Sequence, residues 1–155
     1  MGESKKKKPR IRVLALGLFR QGDTIFVAEG RDALTGETFY RPIGGAVEFG
    51  ELAADALARE VDEEIGAAIE AVRYLFTLEN IFIYEGEPGH EICLVHDARF
   101  VEPQRRAPDY TVVGRDDGEI LYTATYKPLR FFSAPDAPPL YPDGLLDILL
   151  AGVLP

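Results

Sequence analysis

A chain of 155 residues with 46% hydrophobic and 28% charged side chains has the composition of a folded domain with room for one substantial core, which excludes a disordered chain. A formal net charge of −9 argues against a protein that coats nucleic acid, so no stable nucleic-acid partner is expected; an anionic small molecule remains an acceptable ligand if a metal ion bridges the two. Cys93 is the single cysteine, which rules out an intrachain disulfide and fits a reducing compartment.

Residues 1–10 open the chain as a basic, polar arm, "MGESKKKKPR", read as solvated and flexible, with a polyanion-binding patch as the sharper alternative. Residues 11–155 are read as a single domain. A signal peptide does not fit, because the apolar run Val13 to Phe19 is short and leads into Arg20-Gln21-Gly22-Asp23 with no small-residue cleavage site. Lys6 stands where myristoylation needs Ser or Thr. No apolar run reaches the ~18 residues of a membrane span, so a cytoplasmic protein with no membrane partner is expected.

"IRVLALGLF" reads as a sheet-centre strand, Gln21-Gly22-Asp23 as a turn and "TIFVAE" as the second strand. Arg31 to Glu37 reads as a loop, and "TFYRPIGG" as a short strand ending in a Pro and Gly-Gly break. Glu51 to Ile65 is the one strong helix before the C-terminus, closed by Gly66. Two long strands follow, joined around Glu87-Pro88-Gly89. Residues 103–118 are polar and read as an exposed loop. "EILYTATYKPLRFF" reads as a strand, and "LLDILLAGVL" as a terminal helix. Strands, helix, strands, helix around one sheet make an α/β layered domain of mixed strand direction, not a βαβ repeat.

The segment Gly44 to Ala67 carries seven carboxylates and one arginine. Wound at ~100° per residue, Leu57, Val61, Ile65 and Ala54 share an apolar stripe, while Glu60, Glu63 and Glu64 fall on an adjacent stripe. Asp55 and Asp62 point elsewhere. Three like charges half shielded by a sheet repel one another, so either their pKa values rise or a cation neutralises them. Carboxylate oxygens without His or Cys nearby in sequence suit Mg²⁺ or Mn²⁺, and Gly44-Gly45 lets the backbone pass close enough to add a carbonyl. A solvated helix face is the bland alternative for a generic run of this kind.

This run is not generic. Gly45, Glu51, Arg59-Glu60, Val61, Glu63-Glu64, Gly66 and Ala67 match every position of G-x5-E-x7-R-E-U-x-E-E-x-G-U, U being apolar, and on that pattern the chain resembles the Nudix hydrolases. The resemblance implies an α/β/α sandwich with the motif as loop–helix–loop beside a mixed sheet and a C-terminal helix. It implies a Mg²⁺-dependent pyrophosphohydrolase that cleaves a nucleoside diphosphate linked to another moiety, by attack of a metal-activated water. It also implies metal ligation by Glu60 and Glu64, by Glu63 directly or through water, and by the Gly44 carbonyl, with Arg59 paired to Glu51 to hold loop and helix in register. A homodimer would be in keeping with the family.

Outside the motif, Glu91 resembles a strand glutamate that ligates metal in some members. Glu119 resembles a late-loop acid that serves others as base, so Glu60, Glu91 and Glu119 all stand as candidate general bases. Arg41 is a candidate phosphate contact; Arg20, Phe82 and Tyr84 are candidates to clamp a base or sugar. Cys93 reads as a small core residue, not a nucleophile, which disfavours an isoprenoid diphosphate isomerase on the same fold. A catalytically silent nucleotide-binding module is the main alternative function, and a bare cation buffer the remaining one.

Overall fold

The computed structural model describes residues 8–155, so most of the basic arm lies outside the described residues. Eight strands form one sheet: β1 (Arg12–Leu18), β2 (Arg20–Gln21), β3 (Thr24–Arg31), β4 (Thr38–Ala46), β5 (Ile69–Tyr84), β6 (Glu87–Phe100), β7 (Thr111–Asp116) and β8 (Glu119–Pro128). Their lateral order is β5-β6-β1-β4-β3-β8-β7, with β2 paired to β3. β1 and β6 run parallel and the other strand pairs antiparallel, which is the mixed α/β sheet expected.

β1 is apolar on both sides because both sides are covered. Ala15 joins the cluster under helix α1 (Ala53–Ile65), together with Leu57, Val61, Phe26 and Phe100. Leu14, Leu16 and Leu18 join the opposite cluster, capped by Leu145 and Leu149 of helix α2 (Leu145–Ala151). Alternate residues of a strand face opposite ways, so two-sided burial needs a near-continuous apolar run. Removing a fully buried Leu or Val from water stabilises by roughly 1.5–3 kcal/mol, and Leu57 and Val61 tie α1 down in this way.

β4 changes partner along its length. Residues 38–42 pair with β3, and residues 43–46 pair with β1. Pro42, which lacks an N–H, stands at that handover, where a missing ladder bond is tolerated. Gly44 has φ 151, and a Cβ there would meet the Ala15 carbonyl oxygen at 2.0 Å. The two halves of the sheet are joined through this bare backbone, and the cleft described below opens between them.

Three expectations are corrected. Residues 103–118 are not one loop, because Thr111–Asp116 is β7, paired with β8. An edge strand leaves alternate residues in solvent, and its polar composition imitates a loop. The β5–β6 turn is Glu85-Gly86, with φ of 50° and 78°, not Glu87-Pro88-Gly89. A two-residue turn with both φ positive matches the strand twist, and Pro88 then lies opposite Ile83 in the ladder. The helices are also shorter than read. α1 starts at Ala53, and α2 spans seven residues between Gly144 and Gly152, both in left-handed conformations.

Candidate functional site

Arg59 organises the first turns of α1 and the loop before it. Its guanidinium donates from Nε to Glu51 Oε2 at 2.8 Å and from Nη2 to Glu51 Oε1 at 2.9 Å, and Nη2 also reaches the Ala46 carbonyl at 3.0 Å. Its Nη1 donates to Glu60 Oε1 at 2.9 Å and to Glu63 Oε2 at 3.2 Å. The hydrogen bonds from Arg59 hold the Glu51 carboxyl down at about 2. The fork of the guanidinium matches the carboxylate, so the loop 46–51 and the helix move as one piece.

The helix acids separate by what they face. Asp55 and Asp62 are exposed. Glu63, with 59% of its side chain exposed, bends back to Arg59. Glu60 and Glu64 line the cleft. The Glu60 carboxylate lies where a Cβ on Gly45 would sit, 2.3 Å from that position, so only glycine admits it. Glu64 is partly buried and accepts a hydrogen bond from the Tyr122 hydroxyl. Burial, with the adjacent Glu60 charge adding to it, pushes the Glu64 carboxyl from 4.5 up to about 7 against the Tyr122 bond. Burial likewise pushes the Tyr122 phenol up, so it remains a donor. Tyr122 is placed by Gly114 on β7, where a Cβ would come within 2.3 Å of the ring.

Among the described residues no group of three His, Cys, Asp or Glu side chains converges into a cation cage. The donors that do meet are the Glu60–Glu64 pair beside the Gly44-Gly45 backbone. Two hard oxygen ligands, one of them reluctant to ionise alone, fit a divalent cation that keeps several waters.

The cleft has a volume of about 620 Å³. Arg41 projects from β4 into it, close enough to Glu64, Tyr122 and Cys93 for its charge to act on all three. Burial raises the Cys93 thiol to about 11, as suits a core residue and not a nucleophile. One wall carries Arg12, Glu91 and Asn80 in adjacent strands, and Phe82 and Tyr84 beyond them. Phe39 meets Tyr84 and Tyr141 edge-on, with centroids 5.8 and 5.9 Å apart, and closes that end. Asp32 fastens two loops at the rim: its Oδ1 accepts from the amides of Leu34 and Thr35 at 2.8 and 3.1 Å, and its Oδ2 from Glu85 at 2.9 Å.

Arg20 does not join this cleft. Asp97 on β6 holds it through two hydrogen bonds of 3.0 and 2.8 Å, in a separate depression beside Phe19 and Phe100. A charged partner 77 positions away had no local signature. Glu119, at the exposed β7–β8 turn, is not among the cleft residues, whereas Asp116 opposite it is. His90 pairs with Glu79 at 3.0 Å on the outer surface. Tyr122, Asn80, Asp32 and Phe39 escaped sequence reasoning; only the alternation in "EILYTATY" hinted that Tyr122 faces inward.

The fold recurs in solved structures. A MutT NUDIX hydrolase from Burkholderia pseudomallei is 20% identical, with a TM-score of 0.56 over 93% of this chain and 98% of that one. A NUDIX hydrolase from Nitrosomonas europaea is 18% identical, with a TM-score of 0.54 over 92% and 87%. An ADP-ribose pyrophosphatase from Streptococcus suis is 18% identical, with a TM-score of 0.54 over 91% and 90%. At such identities the likeness speaks for the fold. The family model described as the NUDIX domain matches residues 8–143, and with that match spanning most of its length, the chain belongs to the Nudix family.

Proposed function

We propose that the protein is a Mg²⁺-dependent pyrophosphohydrolase, with Mn²⁺ as an alternative ion, that cleaves the diphosphate linkage of a nucleoside diphosphate derivative. The observation that carries this reading is the Glu60–Glu64 pair, set against the Gly44-Gly45 backbone in a cleft that also presents Arg41. Glu60 and Glu64 would hold the ion, the Gly44 carbonyl would supplement them, and exposed Glu63 would act directly or through water. Bound there, a divalent ion supplies a water of lowered pKa and neutralises charge on the diphosphate.

The chain's own groups do the rest. Arg41, which makes no hydrogen bond or ion pair among the described residues, offers its fork to a phosphate. Tyr122 donates to Glu64 and holds that carboxylate in place. Arg59 occupies Glu60 Oε1, which leaves Oε2 as the atom that would ligate the ion. Phe82, Tyr84 and Phe39 provide apolar surface for the remainder of the substrate.

A panel of nucleoside diphosphate derivatives, with release of nucleoside monophosphate followed with and without Mg²⁺, tests the reading. Turnover with millimolar Mg²⁺ and none in EDTA is expected. Full turnover in metal-free buffer would overturn the mechanism, and tight nucleotide binding with no turnover under any metal would leave only a silent binding module.

A further inference from the structure

One wall of the cleft carries a buried carboxylate, Glu91, that is only loosely paired with a cation. Glu91 is 4% exposed, and among the described residues its side chain makes no hydrogen bond. Its nearest cation is Arg12, whose guanidinium is 3.9 Å away and half exposed. A pair this long, to a half-exposed arginine, leaves both carboxylate oxygens able to accept hydrogen bonds from a ligand in the cleft. Among the described residues Glu91 does not converge with Glu60 and Glu64 into a group of three acids.

Its neighbour defines what would complete it. Asn80 on β5 lies directly opposite Glu91 in the antiparallel ladder and is equally buried. Asn80 Oδ1 accepts the Asp143 amide at 3.3 Å, which assigns the orientation of the group and leaves Nδ2 as a donor toward the cleft, which both residues line. Side chains directly opposite in such a pair lie about 5 Å apart. This wall therefore presents two acceptor oxygens next to one donor.

We propose that Glu91 and Asn80 together read the edge of a guanine base, which makes guanine nucleotides the preferred substrates. This rests on the cleft being the nucleotide site proposed above. Guanine offers two adjacent donors, N1–H and the N2 amine, followed by the O6 acceptor. The first two meet the Glu91 carboxylate and O6 meets Asn80 Nδ2. Adenine and cytosine each place a ring acceptor beside their one amine, and an acceptor-only carboxylate repels it. Uracil places its single donor between two carbonyls. A site built to pair specific donors discriminates strongly, because the wrong ligand leaves buried polar groups unmet.

The test is binding of GMP, AMP, CMP and UMP to the full chain with Mg²⁺, by calorimetry, for the parent, Glu91→Gln and Asn80→Asp. Gln nearly preserves shape but turns one acceptor into a donor; Asp keeps the acceptor for Asp143 while removing the donor. Thermal midpoints confirm that both variants fold. GMP is expected to bind the parent at least tenfold more tightly than AMP, and each substitution to shrink that ratio by tenfold or more. Binding and cleavage without base preference would overturn the guanine assignment and leave the proposed hydrolase intact. So would a Glu91→Gln variant that weakens all four nucleotides equally and raises the Mg²⁺ requirement, which would make Glu91 a metal ligand. If no nucleotide binds while the protein is folded, the nucleotide reading of the cleft fails, and this proposal with it.

Discussion

Glu64→Gln separates the electrostatic strain of the site from its chemistry. Without metal, burial and the Glu60 charge raise the Glu64 carboxyl from 4.5 to about 7. A raised carboxyl favours the folded state while protonated, so the contribution is fully present below pH 4.5 and is lost as pH rises through 7. At about 1.4 kcal/mol per pH unit, a fully shielded group would account for ~3 kcal/mol. Solvent reaches part of this side chain and screens it, leaving about 1–2 kcal/mol. Gln cannot ionise and still accepts the Tyr122 hydroxyl. In EDTA at pH 8 the variant should therefore be more stable than the parent by that amount, a rise in thermal midpoint of roughly 2–8 °C for a chain of this size. At pH 4.5 the two should coincide. Saturating Mg²⁺ should reverse the order at pH 8, because only the parent keeps both charged ligands, and turnover should fall by roughly 100-fold or more. Urea and thermal unfolding at both pH values, with and without metal, measure this directly. A variant less stable than the parent in EDTA at pH 8, or one with an unchanged pH profile, would refute the account. Asp62→Asn, on the solvent side of the same helix, is the control and should alter rate and stability little.

Arg59→Ala should lower the thermal midpoint by roughly 4–10 °C. Glu51, held at about 2 by Arg59, lends stability above pH 4.5 that is lost toward pH 2, so the variant should lose this acid limb; an unchanged midpoint with lost rate would place Arg59 on the substrate instead. Gly45→Ala and Gly44→Ala should part company in paired activity and unfolding assays. The first meets the flexible Glu60 carboxylate and should abolish turnover at modest loss of stability, whereas the second meets the Ala15 backbone and should cost roughly 3 kcal/mol or more. Asp32→Ala should speed hydrogen exchange at the amides of Leu34, Thr35 and Glu85, which Asp32 now binds; unchanged exchange would show that the rim loops hold without it.

The strand core, the long helix and its acidic stripe were legible in the sequence because they depend on neighbours a few residues apart. The run from Val13 to Phe19 is apolar on both sides because both sides are covered, and the spacing of Leu57, Val61 and Ile65 defines a buried face without reference to what covers it. Glu60 and Glu64, one turn apart, share a face wherever that helix goes. The motif extended this local reading to Arg59 and Glu51, eight positions apart, which the bidentate pair then joins. β7 was missed for the opposite reason. A half-exposed edge strand has too little apolar signal, and it is pairing with β8, not composition, that makes it a strand.

What tertiary structure alone decided is which distant side chains look into the cleft. The parallel pairing of β1 with β6 sets Arg12 opposite Glu91, and the β5–β6 register sets Asn80 on its other side. The β7–β8 pairing seats Tyr122 over Gly114 and brings its hydroxyl to Glu64, 58 positions away. The same forces withdrew Arg20, whose charge is satisfied by Asp97 in another depression. A shift of one residue in any of these ladders would turn every side chain of the strand to the opposite face. Register is set by the packing of the whole core on both sides of the sheet, so the inventory of acids and aromatics was readable along the chain, while their meeting in one cleft was decided only when the sheet closed.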